Sequence, residues 1–149
     1  MIEILPYQAS WPLDFAAEAA ELRSIAPVLS ELEHIGSTAV PGLAAKPVID
    51  MMAAVEALEA VTPVLPALGK RGYGVVETGT RDRLFLHRPG VPTVNLHIVT
   101  LASWPGRNER LMRDALIADP KATADYAALQ RRLADAHGED MAAYPRAKT

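Results

Sequence analysis

EHIGSTAVPGLAAKPVIDMMAAV, residues Glu33–Val55, sets a run of small residues, a Pro-Gly turn, one lysine and one aspartate between two apolar segments. Leu32 to Ile35 reads as a short strand that stops at Gly36. Ser37 to Ala45 reads as a loop or a short helical turn. Pro47 to Val55 is apolar almost throughout, the mark of a central strand covered on both faces. Alternation along it places Val48, Asp50 and Met52 on one face and Ile49, Met51 and Ala53 on the other. An aspartate inside such a strand is costly unless it is paired or metal-bound. A glycine at the end of the preceding strand lets the backbone turn and a partner come close. A helix beginning at Ser37 or Thr38 would add free N–H groups and hydroxyls, which together make an anion site. The stretch therefore predicts a phosphate cradle at Gly36, Ser37 and Thr38 facing Asp50. Asp50 would serve as a Mg²⁺ ligand, because Mg²⁺ takes one or two carboxylates plus substrate phosphates. The plainer alternatives are a capped strand-to-helix turn and an Asp50 buried in an ion pair with Lys46, His97 or an arginine.

Around this stretch the chain alternates helix and strand. Ser10 is placed to cap a helix starting at Trp11-Pro12, with an apolar stripe of Leu13, Ala16, Ala17, Ala20, Ile25 and Val28 and an end near Pro27. Ala57 to Lys70 is helical, with Pro63 and Pro66 predicting a break or kink. Gly69, Gly72 and Gly74 bracket the turn into a strand at Tyr73 to Glu77. Leu84 to Arg88 and Thr93 to Leu101 are two further strands joined across PGVP. Beyond Pro105 the period becomes helical, first through Leu111, Met112, Ala115 and Leu116. A second stripe runs through Ala122, Tyr126, Leu129 and Leu133, with Asp119 as N-cap and Pro120 at the first helical position. Met141 to Lys148 is read as a last short helix. One α/β (α+β) domain over residues 1–149 follows, a mixed sheet of about four to five strands with flanking helices and a C-terminal helical segment.

The composition narrows the function. The formal charge of −3 gives no general attraction to polyanions, so nucleic acid is not an expected partner. There is no cysteine, which excludes thiolate zinc sites and disulfides and fits a cytoplasmic home. The start, MIEILPYQASWP, is not a signal peptide, and no apolar run is long enough to span a bilayer.

HIGSTAVPGLAAKPVIDMM closely resembles the GrpB family, small proteins of the nucleotidyltransferase superfamily with the DNA-polymerase-beta-like fold. YQASWPLDFAAEAAEL, NLHIVT, RDALIADPKATADYAALQRRLA and YPRAKT resemble it in the same order, so the likeness covers essentially the whole chain. The superfamily pattern is a Gly-Ser pair, a strand carrying Asp-x-Asp or Asp-x-Glu, and a third carboxylate on a neighbouring strand. The resemblance implies that Gly36 and Ser37 contact nucleotide phosphates and that Asp50 is the first metal ligand. The position of the second ligand holds Met52, a thioether ill suited to a hard cation. The strand expected to carry the third offers Asn95 and His97 on one face.

Lys46, Arg81, Arg83 and Arg88 are candidate phosphate neutralisers, and His97 is a candidate base or ligand for a softer metal. His34, His87 and Arg88 lie in or beside predicted strands, and Arg113 with Asp114 would line the cleft from the helical side. Against these stand ordinary roles: a core histidine, a solvated hairpin edge, a helix-packing pair. Three functions are open. One is Mg²⁺-dependent nucleotidyl transfer from a nucleoside triphosphate. Another is a catalytically degenerate module that holds a nucleotide or other phosphorylated small molecule, in keeping with relatives fused to dephospho-coenzyme A kinase. The third is a different enzyme that uses His97 where a carboxylate would stand.

Overall fold

The computed structural model describes residues 4–136; the short helix expected at Met141 to Lys148 lies outside them. Helix α1 (Ser10–Ile25) leads into strand β1 (Glu31–Ile35), a three-residue 3-10 turn (Ser37–Ala39) and strand β2 (Val48–Val55). A 3-10 segment (Leu58–Val64) runs straight into α2 (Leu65–Arg71). Then come β3 (Gly74–Val76), β4 (Leu84–Arg88) and β5 (Thr93–Thr100). A 3-10 turn (Trp104–Gly106) precedes α3 (Asn108–Ala118) and α4 (Pro120–Ala136).

The five strands form one mixed sheet in the order β1-β2-β5-β4-β3. β1 is antiparallel to β2, β2 is parallel to β5, and β5, β4 and β3 continue antiparallel. The parallel β2–β5 pair sits at the centre, and β2 is buried on both faces from Met51 onward. That is what a nearly unbroken apolar strand predicts. The break expected between Ala57 and Lys70 takes the form of a change of helix type. Pro63 sits inside the 3-10 segment and Pro66 in the first turn of α2, where its missing N–H costs nothing.

One face of the sheet carries the main core. Ile49, Met51, Ala53, Val55, Leu86, Val94, Leu96 and Ile98 pack there against Trp11, Ala19 and Leu22 of α1, Val61 and Leu68. The apolar stripe read for α1 is displaced in the structure. Its inward face runs through Trp11, Phe15, Ala19 and Leu22, while Leu13, Ala16, Ala17 and Ala20 face solvent. An alanine-rich helix offers little contrast between faces, so the aromatic positions decide its rotation. Ser10 does not cap the helix either; it is its first residue, after Ala9. Glu18 shares the inward face and is only 4 % exposed. It accepts hydrogen bonds from Arg71 Nη2 at 2.7 Å and Tyr73 Oη at 2.7 Å. Burial alone would raise the Glu18 carboxyl, but the hydrogen bonds from Arg71 and Tyr73 outweigh it and hold the group below its ordinary value.

Asp119 caps α4 as its sequence predicts, its Oδ1 accepting from the Lys121 and Ala122 amides at 3.0 and 3.3 Å. Of the α3 stripe only Leu116 is buried; Leu111 and Met112 are exposed.

Candidate functional site

The opposite face of the sheet gathers the chemistry. Strand register pairs Asp50 with Asn95 and Met52 with His97 across β2–β5. It pairs Asn95 with His87 and His97 with Phe85 across β4–β5, and Met52 with Glu33 across β1–β2. Paired residues on neighbouring strands share a face, so Glu33, Asp50, Met52, Phe85, His87, Asn95 and His97 all lie on one side.

Gly36 meets Asp50 directly. Its φ of 74° and ψ of −173° belong to a region essentially reserved for glycine. A Cβ built there would lie 2.7 Å from Asp50 Oδ2. The partner that the absent side chain admits is thus the Asp50 carboxylate. The following turn is three residues of 3-10 helix, Ser37–Ala39, where a longer helix start had been an option. Ser37 and Thr38 are both buried. The Thr38 hydroxyl donates to the Val48 carbonyl at 3.1 Å and lies 2.9 Å from His34 Nε2. Its one proton is spent on Val48, so it accepts from His34 and ties the turn to β2. The Tyr126 phenol of α4 lies near the Ser37 hydroxyl. Burial raises the Tyr126 phenol above its ordinary value and the Asp50 charge adds to this, while the Ser37 hydroxyl works against it. Ser37, Asp50 and Tyr126 therefore converge. Asp50 is half-buried, and no described arginine lies within ion-pair distance of it.

His97 is held differently. Arg83 Nη1 lies 3.2 Å from His97 Nδ1 and 2.7 Å from Glu109 Oε2, and Phe85 stacks on the imidazole with centroids 4.7 Å apart. A guanidinium can only donate, so Nδ1 must be the acceptor and the ring carries its proton on Nε2. Burial lowers the His97 pKa, against a smaller opposing effect of Asp50, and keeps the ring neutral. His97 thus presents an N–H, which is the wrong polarity for a base at that nitrogen. Arg83 is balanced by Glu109, whose carboxyl burial would raise but Arg83 holds low. His87 is placed by Asn95, with Nδ1 to Oδ1 at 2.8 Å.

The remaining candidates are scattered. Arg81 is exposed in the turn between β3 and β4. Lys46 is half-buried in the loop that precedes β2. Arg113 comes to the edge strand β1, where with Arg110 it clamps the Glu33 carboxylate, at 2.8 and 3.0 Å. Burial would raise Glu33, and the two guanidinium hydrogen bonds more than reverse it. Arg110 also lies 4.3 Å above the Trp104 ring. Glu33, Glu109 and the Tyr126 hydroxyl were not singled out from sequence. Their partners lie far along the chain, and only the helical period of α3 and α4 hinted at which residues turn inward.

The donor set limits any metal. Met52 is fully buried with Ile35, Ala54, Val99 and Trp104 in a small second core. Among the described residues no group of three His, Asp or Glu side chains is arranged to hold a metal ion. These residues do not fit a resident two-metal centre. A single Mg²⁺ bound mainly by oxygens other than the protein's would need only one carboxylate, and Asp50 is the one that could supply it.

This sheet, with its Gly-Ser turn set against an aspartate on the central strand, has the nucleotidyltransferase fold. A solved structure of that fold, the GLD-2/RNP-8 complex, superimposes with a TM-score of 0.63 at 13% identity over 97% of this chain and 50% of that chain. The chain belongs to the GrpB protein family, which it matches over residues 1–149. The crystal structure of conserved protein GrpB from Enterococcus faecalis aligns with a TM-score of 0.87 at 29% identity, over 98% of this chain and 94% of that one. UPF0157 protein YqkA of Bacillus subtilis is 31% identical over 150 residues, 99% of this chain. The chain spans 44% of the length of YqkA. No helix among the described residues is long and apolar enough to cross a membrane.

Proposed function

We propose that this protein binds a nucleotide or another phosphorylated small molecule at the Gly36-Ser37 turn beside Asp50. A single Mg²⁺ arrives with the phosphates and takes Asp50 as its one protein carboxylate. The observation that carries the reading is the Asp50 carboxylate itself. It is half-buried, has no described arginine within ion-pair distance, and lies against a glycine that has room for nothing larger. A carboxylate kept in that state by a folded chain is costly to stability, and a cation supplied by a ligand offsets the cost. Ser37 supplies a hydroxyl to the phosphate by exchanging the partners it holds in the unliganded fold, and the Nε2–H of His97 supplies a neutral donor further along the same face. Lys46 and Arg81 lie in flanking loops from which a charged side chain can reach a polyphosphate.

The test is thermal unfolding with the four ribonucleoside triphosphates and inorganic tripolyphosphate, each with and without Mg²⁺. Saturation at a hundred times Kd contributes about 2.7 kcal/mol, or roughly 5–10 °C in Tm for a domain of this size. The expected result is a shift that needs Mg²⁺ and is lost in Asp50→Asn. No shift with any probe refutes the reading. A shift that ignores both Mg²⁺ and the substitution keeps the binding but removes Asp50 from it. Release of pyrophosphate during the titration distinguishes nucleotidyl transfer from simple retention.

A further inference from the structure

We propose that His87 is a specificity residue, accepting through Nε2 a hydrogen bond from an O–H or N–H on the organic part of the ligand. The proposal rests on the phosphate-binding reading and extends it along the sheet. Its basis is the fixed polarity of the site-face side chains. The Asn95 carbonyl oxygen lies 2.8 Å from His87 Nδ1 and can only accept, so Nδ1 carries the proton of the neutral ring and Nε2 keeps its lone pair. No described residue bonds that Nε2. His97, its diagonal neighbour across β4–β5, has the reverse arrangement because Arg83 donates to its Nδ1. The two imidazoles therefore offer opposite ends of a hydrogen bond from one face.

Position supports the assignment. Asp50, Asn95 and His87 stand in one row on β2, β5 and β4. Two strand spacings separate the ends of that row, roughly 10 Å. A phosphate anchored at Ser37 and Asp50 leaves the rest of its molecule to lie across β5 toward β4. At the phosphate end Arg110 and Arg113 of α3 hold Glu33 of β1 and Tyr126 of α4 lies near Ser37, while at the other end α3 reaches β5 through Glu109, which Arg83 occupies beside His97. Polarity separates the two ends. Phosphate oxygens only accept, so they have no use for a neutral lone pair. Sugar hydroxyls and the N–H groups of a nucleobase or amine are donors, and His87 Nε2 matches them. The Glu33 and Glu109 carboxylates are occupied by arginines.

The experiment uses the full chain and two probes, inorganic tripolyphosphate and the ribonucleoside triphosphates, followed by calorimetry in wild type and His87→Phe. One hydrogen bond lost gives about a three- to tenfold weaker nucleotide, with tripolyphosphate unchanged. Long-range ¹H–¹⁵N NMR near neutral pH gives the second readout, which a merely structural role would not move. It should find His87 protonated at Nδ1 and bare at Nε2, with the Nε2 resonance shifting on nucleotide addition and not on tripolyphosphate addition. A His87 ring protonated at Nε2, or equal losses for both probes in His87→Phe, overturns the proposal and leaves the phosphate reading standing. Failure of wild type to bind either probe overturns both.

Discussion

Gly36→Ala tests the contact on which the site is built. At φ 74° and ψ −173° a side chain is held in a backbone region that costs of order 1–3 kcal/mol for any residue but glycine. The new Cβ would also stand 2.7 Å from Asp50 Oδ2, so the carboxylate must rotate away. Forcing it off its rotamer adds about 0.5–1.5 kcal/mol. Together the loss is about 2–4 kcal/mol. Urea unfolding followed by far-UV circular dichroism measures it as a lower midpoint at unchanged slope. A double-mutant cycle separates the parts. In an Asp50→Ala background the clashing oxygen is gone while the backbone cost stays, so the same substitution should be milder by about 1 kcal/mol. The Asp50 Cβ, at 3.1 Å, survives in that background and keeps the relief partial. A loss below about 0.5 kcal/mol in wild type, or no coupling between the two positions, refutes the idea that Gly36 makes room for the acid.

Two other outcomes follow from the buried groups. Glu18→Gln keeps the shape of the side chain but leaves Arg71 without its counter-charge; because Arg71 is 31% exposed and regains water, the expected loss is about 2 kcal/mol, read by the same urea titration. The pH dependence turns on His34, whose pKa burial and then the Arg113 charge lower from 6.5 to about 4. Between those values the unfolded chain binds the proton and the folded one does not, so stability is fully present above pH 6.5 and falls as pH drops through the window to about 4. His34→Phe, which keeps the stack on Phe15, should flatten that slope in unfolding midpoints measured across the window. A slope of the same sign remains from His97, and an unchanged slope in the variant assigns the effect elsewhere.

Local pattern carried the elements and little of their pairing. The five strands, the Asp119 cap and the shared face of Asp50 and Met52 follow from alternation, turn residues and proline placement, all of which act within a few residues. The rotation of α1 did not, because its alanines contribute almost nothing to the contrast between faces and Trp11 and Phe15 outweigh them. The site divides in the same way. Gly36, Ser37 and Asp50 sit close in sequence and were readable as a unit. The polarity of His97 is set by Arg83, which the sequence marked as a phosphate partner and the fold couples to Glu109, and Glu33 is claimed by arginines on a helix of distant register. Such pairings are fixed by how α3 lies on the sheet, which no local period encodes. The His87–Asn95 contact spans only the β4–β5 hairpin and is legible once its register is set.

The two sides of the sheet answer to different conditions. On one side α1 is seated by Trp11, Ala19 and Leu22, a grip that weakens on cooling, with the Glu18–Arg71 pair set among them. On the other, α3 buries only Leu116 and is fastened through Arg110 and Arg113 to Glu33, which is 29% exposed. Mobile ions screen a fastening of that kind. Ionic strength is thus chiefly a handle on how α3 sits over the sheet, because the Glu18 end of the opposite pair is shut away from solvent.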